Sequence, residues 1–314
     1  MKKANIVVIG GGTGLSAILR GLKTFPVDIT AIVTVADDGG SSGRLRKELD
    51  IPPPGDVRNV LVALSEVEPL IEELFQHRFE NGLGLSGHSL GNLLLAGMTS
   101  ITGDFAKGVH ELSRVLNVRG KVLPAANQSI VLKAEMCDGS IVVGESKIPK
   151  VGKKIKRVFL TPENVQPLQE TLHAIRKADL IVIGPGSLYT SVLPNLLVPG
   201  IADEVKKAQA RKVYICNVMT QPGETDDYTA SDHVHSLISH VGAGIIDTMI
   251  VNNQEIDKQY LEKYEKEGAK DVLFDKIELQ KLPYQIVADQ LLIYRENYLR
   301  HDAIKLSQLL LSLL

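Results

Sequence analysis

Short, uniformly apolar runs alternate with helix-period stretches along this chain. Ile6, Val7, Val8 and Ile9 form a β-branched run without polar alternation, which predicts a strand covered on both faces, as in a parallel sheet. Ile29 to Val35 reads as a second buried strand, and Leu180 to Ile183, Val213 to Cys216 and Ile245 to Val251 as further ones. Leu15, Ala17, Ile18 and Leu19 begin a helical pattern. Helices are also expected over Val57 to Ser65, Pro69 to Phe79, Val165 to Lys177 and Ile201 to Ala208. From Lys121 to Phe159 the period shortens to strand-like runs, with Asp138-Gly139 as a hairpin signal. Residues 256–314 read as two or three helices with a short strand near Val272 to Phe274. In the last helix Leu306, Leu309, Leu310, Leu313 and Leu314 share one face, suited to the core or to a subunit contact. The expected fold class is α/β: one Rossmann-like, doubly wound domain over 1–314 with a mostly parallel sheet, a small antiparallel excursion at about 121–160 and C-terminal helices at about 256–314.

The chemistry gathers where these strands end. After Ile9 come Gly10, Gly11, Gly12, Thr13 and Gly14, leading into the first helix. Glycines let backbone N–H groups approach an anion, and a helix N-terminus adds partial positive charge, so the corner is a candidate phosphate cradle. Its spacing is not the dinucleotide fingerprint, because Leu15 stands at the third glycine position, and no Lys-Ser/Thr follows as in a P-loop. The second strand ends in Asp37-Asp38-Gly39-Gly40-Ser41-Ser42-Gly43. Asp37 suits a ribose hydroxyl, and Asp37 with Asp38 suits Mg²⁺ near phosphates. Three prolines then hold the start of a helix with Asp56 as its expected N-cap and Arg58 and Asn59 in its first turn. An Arg there opposes the helix dipole, so an anion or Asp38 is its expected partner. A third glycine-rich loop carries His88 and Asn92, four apart and on one face. Gly184-Pro185-Gly186-Ser187 and the polar loop from Asn217 to Thr225 complete five loops of similar design. In a doubly wound sheet such loops lie along one edge, where ligands bind.

Composition narrows the classes. The 314 residues are 44% hydrophobic and 23% charged, enough for a substantial core. The net charge of −2 gives no basic field for nucleic acid. Aromatics at 4% with no Trp argue against a base-stacking platform. Cys137 and Cys216 lie in no metal spacing and read as buried thiols of a cytoplasmic protein. No stretch approaches the length of a membrane span.

The motifs GGGTGLS, VTVADDGGSSGRLR, PPPGDVRNVLVAL, HSLGNLLLAGM, IGPGSLYTSVLPNLLVPGI and NVMTQPGETDDYTASDHV run in order through most of the chain. Together they resemble the YvcK group of CofD-like proteins. The resemblance implies a Rossmann-like fold and a regulatory protein that binds UDP-sugars such as UDP-N-acetylglucosamine. It also implies a need for the protein in gluconeogenic growth, cell-wall synthesis and cell shape. In that reading Gly11, Gly12, Thr13 and Gly14 wrap the diphosphate, and Asp37 and Asp38 bond ribose or Mg²⁺. Gly186, Ser187 and Asn217 line the opposite wall. A uridine ligand further asks for a flat ring and a cation, which Tyr264 and Arg300 of the C-terminal third supply. The alternative is a CofD-like transferase that moves a phospholactyl group from a nucleotide diphosphate carrier to a deazaflavin, with Asp37 or Asp38 on Mg²⁺ and Arg58 on developing phosphate charge. The DDGGSSGRLR segment matches the YvcK pattern and departs from the CofD one. No residue is assigned a catalytic role, and protein partners and a homo-oligomer stay open.

Overall fold

The computed structural model describes residues 3–67, 69–295 and 298–314. The chain first lays down β1 (Asn5–Gly10), β2 (Asp28–Val33) and β3 (Lys121–Pro124). A side group follows, β4 (Val131–Met136), β5 (Ile141–Val143) and β6 (Ile155–Thr161). Then come β7 (Leu180–Ile183), β8 (Arg211–Ile215), β9 (Thr248–Asn252), β10 (Gln285–Asp289) and the hairpin β11 (Leu292–Arg295) with β12 (Tyr298–His301). Seven strands form one sheet in the order β10-β9-β8-β7-β1-β2-β3, and every neighbouring pair is parallel. The uninterrupted apolar runs mark its middle. All four residues of β7 and the last five of β1 are buried, because helices cover both faces.

Early helices are α1 (Gly12–Leu22), α2 (Gly40–Leu49), α3 (Gly55–Leu64), α4 (Pro69–Gln76), α5 (Leu90–Thr102) and α6 (Phe105–Val115). The chain walks outward from β1 through β2 to β3, returns, and walks the other way from β7 to β10. The reversal falls between β1 and β7. There the connections leave in opposite directions and open a crevice at the strand C-termini. The last helix, Ala303–Leu311, packs on α1, with Leu306 and Leu310 in the main core. Its apolar face is thus largely engaged within the chain.

Four expectations need correction. β3 belongs to the parallel sheet, so the antiparallel excursion is β5-β4-β6, from Val131 to Thr161. The C-terminal third is not all helical: β10 extends the main sheet and β11 and β12 form a hairpin. Its apolar residues mimic helical spacing, and strand pairing overrides that local pattern. No strand runs through Val272 to Phe274, where only an isolated bridge joins Met219 to Asp271. Cys137 is exposed at a hairpin turn, whereas Cys216 is buried. Among the described residues no helix is long and apolar enough to cross a membrane.

A second, smaller apolar cluster stands apart from the main core. Tyr264, Ala269, Leu292 and Leu299 form it, with Tyr260 and Tyr294 packed ring on ring at 4.4 Å. This cap is tied to the loop after β8: Val272 N–H donates to the Val218 carbonyl at 2.8 Å and Thr220 N–H to that of Lys270 at 2.7 Å.

Candidate functional site

The crevice between β1 and β7 is a cleft of about 340 Å³. Its floor is the turn from β1 into α1. Gly11 is the N-cap of α1 and brings no capping side chain, so the helix end with its partial positive charge faces the cleft. Gly12 sits at φ +65, a left-handed conformation that costs an L side chain about 1–2 kcal/mol. Gly14 lies against the opposite loop: a Cβ there would stand 2.7 Å from the Pro185 carbonyl oxygen. Glycine is required at Gly14 by this close approach of two backbones.

The other wall is held by two asparagines. Asn217 clasps Gly186, accepting from its N–H at 3.3 Å and donating to its carbonyl at 3.0 Å. Asn195, fully buried, donates to the carbonyls of Gly10 and Ser191 at 3.0 and 2.8 Å. Asn217 therefore shapes the wall as well as lining it.

The cap closes the third side with Tyr264, Arg300 and His301. The Tyr264 hydroxyl accepts from Leu299 N–H at 3.0 Å, which pins β12 to the helix Lys258–Lys266. At 9% exposure its ring is a strut with little open surface. Arg300 is exposed, donates to the Leu299 carbonyl at 3.0 Å, and has no ion pair with a described residue. Burial pushes the pKa of His301 down to about 4, against a bond to the Cys216 backbone, so the ring is neutral at pH 7. The cleft thus offers a helix end, neutral donors and the Arg300 guanidinium, which rests over the Tyr298 ring at 5.3 Å, while Glu267 joins the lining and the Asp56 carboxylate holds Gly12 N–H at the floor.

The remaining sequence candidates form a second cluster behind the glycine turn. A Cβ on Gly11 would lie 2.7 Å from Asp56 Oδ2 on one side and 3.4 Å from Ser191 Cβ on the other, so the two sites share this turn. Asp56 lies in the first turn of α3, whose N-cap is Pro54, and its carboxylate accepts from Gly12 N–H. Asp37 accepts from Gly39 N–H and Asp38 from Ser146 N–H, each at 2.8 Å. Glu145 completes the group. Burial, then the charges of Asp37, Asp56, Glu224 and Asp38, raise its pKa to about 8, and burial with Asp37 raises Asp56 to about 7.

Arg58 and its neighbours face inward here. Buried Arg58 donates to Ser89 Oγ and, at 2.7 Å, to Asn59 Oδ1; burial and the charge of Arg78 lower its pKa, and Asp37 and Asp56 offset part of that. His88 Nδ1 shares a 2.9 Å hydrogen bond with Ser41, and Asn92 donates to Ser42 at 3.4 Å. These two residues fasten α5 to the first turn of α2 and do not line the cleft.

Mg²⁺ at Asp37 and Asp38 would be held by two carboxylates together with a ligand's phosphates. The two acids turn to different neighbours, and no group of three or more His, Cys, Asp or Glu side chains among the described residues is arranged to hold a metal ion. The structure brings Gly11, Gly12, Thr13, Gly14, Gly186, Ser187, Asn217, Tyr264 and Arg300 around one cleft. It places Asp37, Asp38, Arg58, Asn59, His88 and Asn92 in the cluster behind it. The sequence names the loops that carry Ser191 and Gln221 without singling those residues out, and it gives no sign of Glu267 on the cleft or Glu145 in the cluster. Glu145 follows Gly144 in an unremarkable hairpin, and only the fold carries it to Asp37.

A doubly wound parallel sheet with an anion-suited cleft at its reversal defines the class of protein. The family model for 2-phospho-L-lactate transferase CofD matches residues 6–292. The gluconeogenesis factor of Halalkalibacterium halodurans is 70% identical over 312 residues, covering 99% of this chain and 97% of the relative. That of Bacillus subtilis is 64% identical over 313 residues, covering 100% and 99%. The crystal structure of a UPF0052-family protein from Bacillus halodurans superposes with a TM-score of 0.97 at 69% identity, covering 99% of each chain. The chain belongs to the CofD-like family, within its gluconeogenesis-factor (YvcK-like) group.

Proposed function

We propose that the switch-point cleft binds a nucleotide sugar of the UDP-N-acetylglucosamine type. In this reading the protein is a cytoplasmic regulator that serves gluconeogenic growth, cell-wall synthesis and cell shape. One observation carries the reading: Arg300, held on the cap by Tyr264, stands across a single cleft from the α1 end and Gly11–Gly14. A diphosphate between them meets backbone donors on one side and a guanidinium on the other. The name of the relatives, gluconeogenesis factor, supports the gluconeogenic part. Calorimetry with UDP-N-acetylglucosamine, GDP and NAD tests it. Saturable binding of the UDP-sugar, at least tenfold weaker in Arg300→Ala (about 1.4 kcal/mol), is expected. No binding, or wild-type affinity in that variant, overturns it.

A second reading, phospholactyl transfer, is favoured by the Asp56 carboxylate that abuts the glycine turn at Gly11 and bonds Gly12 N–H. Incubation with a phospholactyl guanosine diphosphate and a deazaflavin, followed by chromatography, decides it. Product formation lost in Asp56→Asn supports transfer; absence of product removes it.

A further inference from the structure

The antiparallel group β5-β4-β6 has one face on the main core and one in solvent. Leu132, Ala134 and Met136 of β4 and Val158 and Leu160 of β6 belong to the core. The open face of such a sheet is ordinarily polar, in alternation with the buried one. Here it is not. Register places Ile141, Glu135 and Arg157 in one cross-strand row, Val143, Lys133 and Phe159 in the next, and Val131 with Thr161 in the last. Ile141 is 51% exposed and Val143 47%. Arg157 lies over the Phe159 ring at 5.7 Å. Apolar side chains therefore run across the open face, with cations among them.

One edge of this sheet is open as well. Gly144 N–H donates to the Leu132 carbonyl and Met136 N–H to that of Ser140, each at 2.9 Å, so Ser140, Val142 and Gly144 face β4. The N–H and C=O groups of Ile141 and Val143 then point away, and they bond no described residue. Neither a charge nor a proline, the usual guards of an edge, stands within Ile141–Val143. On the other side β6 is covered, and Val158 N–H donates to His240 Nε2 at 3.0 Å.

Charge selects the occupant. Val131 to Thr161 holds seven Lys and Arg against three carboxylates, in a chain of net charge −2. Each of the three is engaged: Glu135 with both Lys156 and Arg157, Asp138 with Lys153, and Glu145 within the group of Asp37 and Asp56. Lys153 and Lys154 stand beside Asp226, Asp227 and Asp232 and are left out of the balance. Glu163 follows the last row, two residues past Thr161. On the open face itself Lys133, Lys156 and Arg157 meet one carboxylate, that of Glu135. A second copy of the chain across a two-fold would set these cations against their own kind. A lipid or nucleic-acid phosphate has no donor for the free carbonyls. We propose that β5 and the open face dock an extended, acidic segment of a protein partner, added as a strand with β-branched residues beside Ile141 and Val143. A three-residue edge gives few backbone bonds, so charge contributes much of the affinity and salt weakens it. This surface does not depend on what the cleft binds.

Fluorescence anisotropy on the full chain with a labelled nine-residue peptide tests the proposal. The peptide alternates valine with threonine over five residues and carries two glutamates at each end. Saturable binding is expected, at least fivefold weaker in high salt. The same peptide with lysine for glutamate, or with proline for threonine, should bind at least tenfold more weakly. Val143→Pro removes an outward N–H and no ladder bond, and Lys133→Glu reverses a charge at the centre of the face. Each should weaken the acidic peptide at least fivefold with the melting temperature kept. If Val143→Pro unfolds, Lys133→Glu decides together with hydrogen exchange on the unaltered chain, where the peptide should slow the Ile141 and Val143 amides at least tenfold. No saturable binding, equal binding of the lysine peptide, or unprotected Ile141 and Val143 amides overturns the proposal. Self-association of the chain that Val143→Pro abolishes overturns it too, by giving the edge to a second copy. Loss of peptide binding in Arg300→Ala also overturns it, by placing the acidic peptide in the cleft.

Discussion

β1 and β2 are adjacent parallel strands, and each ends in a glycine-rich corner that leads into a helix. The corner after β1 faces a cleft lined by Arg300 and Glu267, and the Asp56 carboxylate bonds its Gly12 N–H from behind. The corner after β2 faces Asp56 and Glu145, both pushed upward in pKa by burial and by like charge. One backbone device thus serves two electrostatic environments, one with Arg300 in reach and one rich in carboxylates, and Asp56 touches both. The glycines grant close approach; the side chains brought by other elements decide what may approach. For the β1 corner those side chains come from the cap, and for the β2 corner from α3 and the strand β5 hairpin.

The contrast can be broken most severely at Gly14. Gly14→Val drives a branched side chain into the Pro185 backbone. It should abolish UDP-sugar binding, a loss above about a hundredfold, and lower stability by about 1–3 kcal/mol as overpacking does. Calorimetry and thermal melting read the two effects. Gly12→Ala meets only φ strain and an ordinary contact with Ser191 Oγ at 3.6 Å, so its binding loss should come with a smaller fall in melting temperature.

The next effect belongs to the cap. Arg300→Ala should weaken the UDP-sugar at least tenfold, about 1.4 kcal/mol, with the melting temperature unchanged because the side chain is exposed.

The carboxylate corner should answer to pH. Glu145, Asp56 and Glu224 have folded pKa values of about 8, 7 and 7, raised from their ordinary range. The folded state then binds more protons than the unfolded chain between about pH 4 and pH 8. Their stabilisation is fully present below the ordinary carboxylate range and is lost as pH rises through the raised values. The melting temperature should be higher at pH 6 than at pH 8. Glu145→Gln should flatten that slope, raising stability at pH 8 by about 1 kcal/mol. An unchanged slope would mean that these carboxylates keep solvent.

The smallest expected effect is that of EDTA. With no chelating group among the described residues, EDTA should change UDP-sugar affinity less than twofold. A larger drop, reproduced in Asp38→Asn, would restore the metal to the β2 corner.

Much of this layout was legible because burial on both faces writes itself into composition. β1 and β7 are apolar runs that admit one reading. β10 and the hairpin were not legible: QIVAD is half-exposed at a sheet edge, and its spacing fits a helix equally well. Sequence proximity likewise grouped Arg58, His88 and Asn92 with the glycine loops. Their partners, Ser89, Ser41 and Ser42, come from other helices, and pairing across helices has no local signature. Tyr264 and Arg300 were placed on the cleft by ligand chemistry rather than by any pattern in the chain.

One contact ties both walls of the cleft to a single lever. α1 begins at the glycine turn and reaches, at its other end, Gly21, where a Cβ would stand 2.3 Å from the Ala303 carbonyl. Ala303 opens the last helix, two residues after His301 and three after Arg300, with Asp302 as the N-cap between. A truncation or bulky fusion that loosens this last helix would let the cap drift. It would register as a ligand-binding defect although every ligand-facing side chain was intact. Tags and deletions at this end are therefore perturbations of the cleft, and assays of the protein should carry them at the other end.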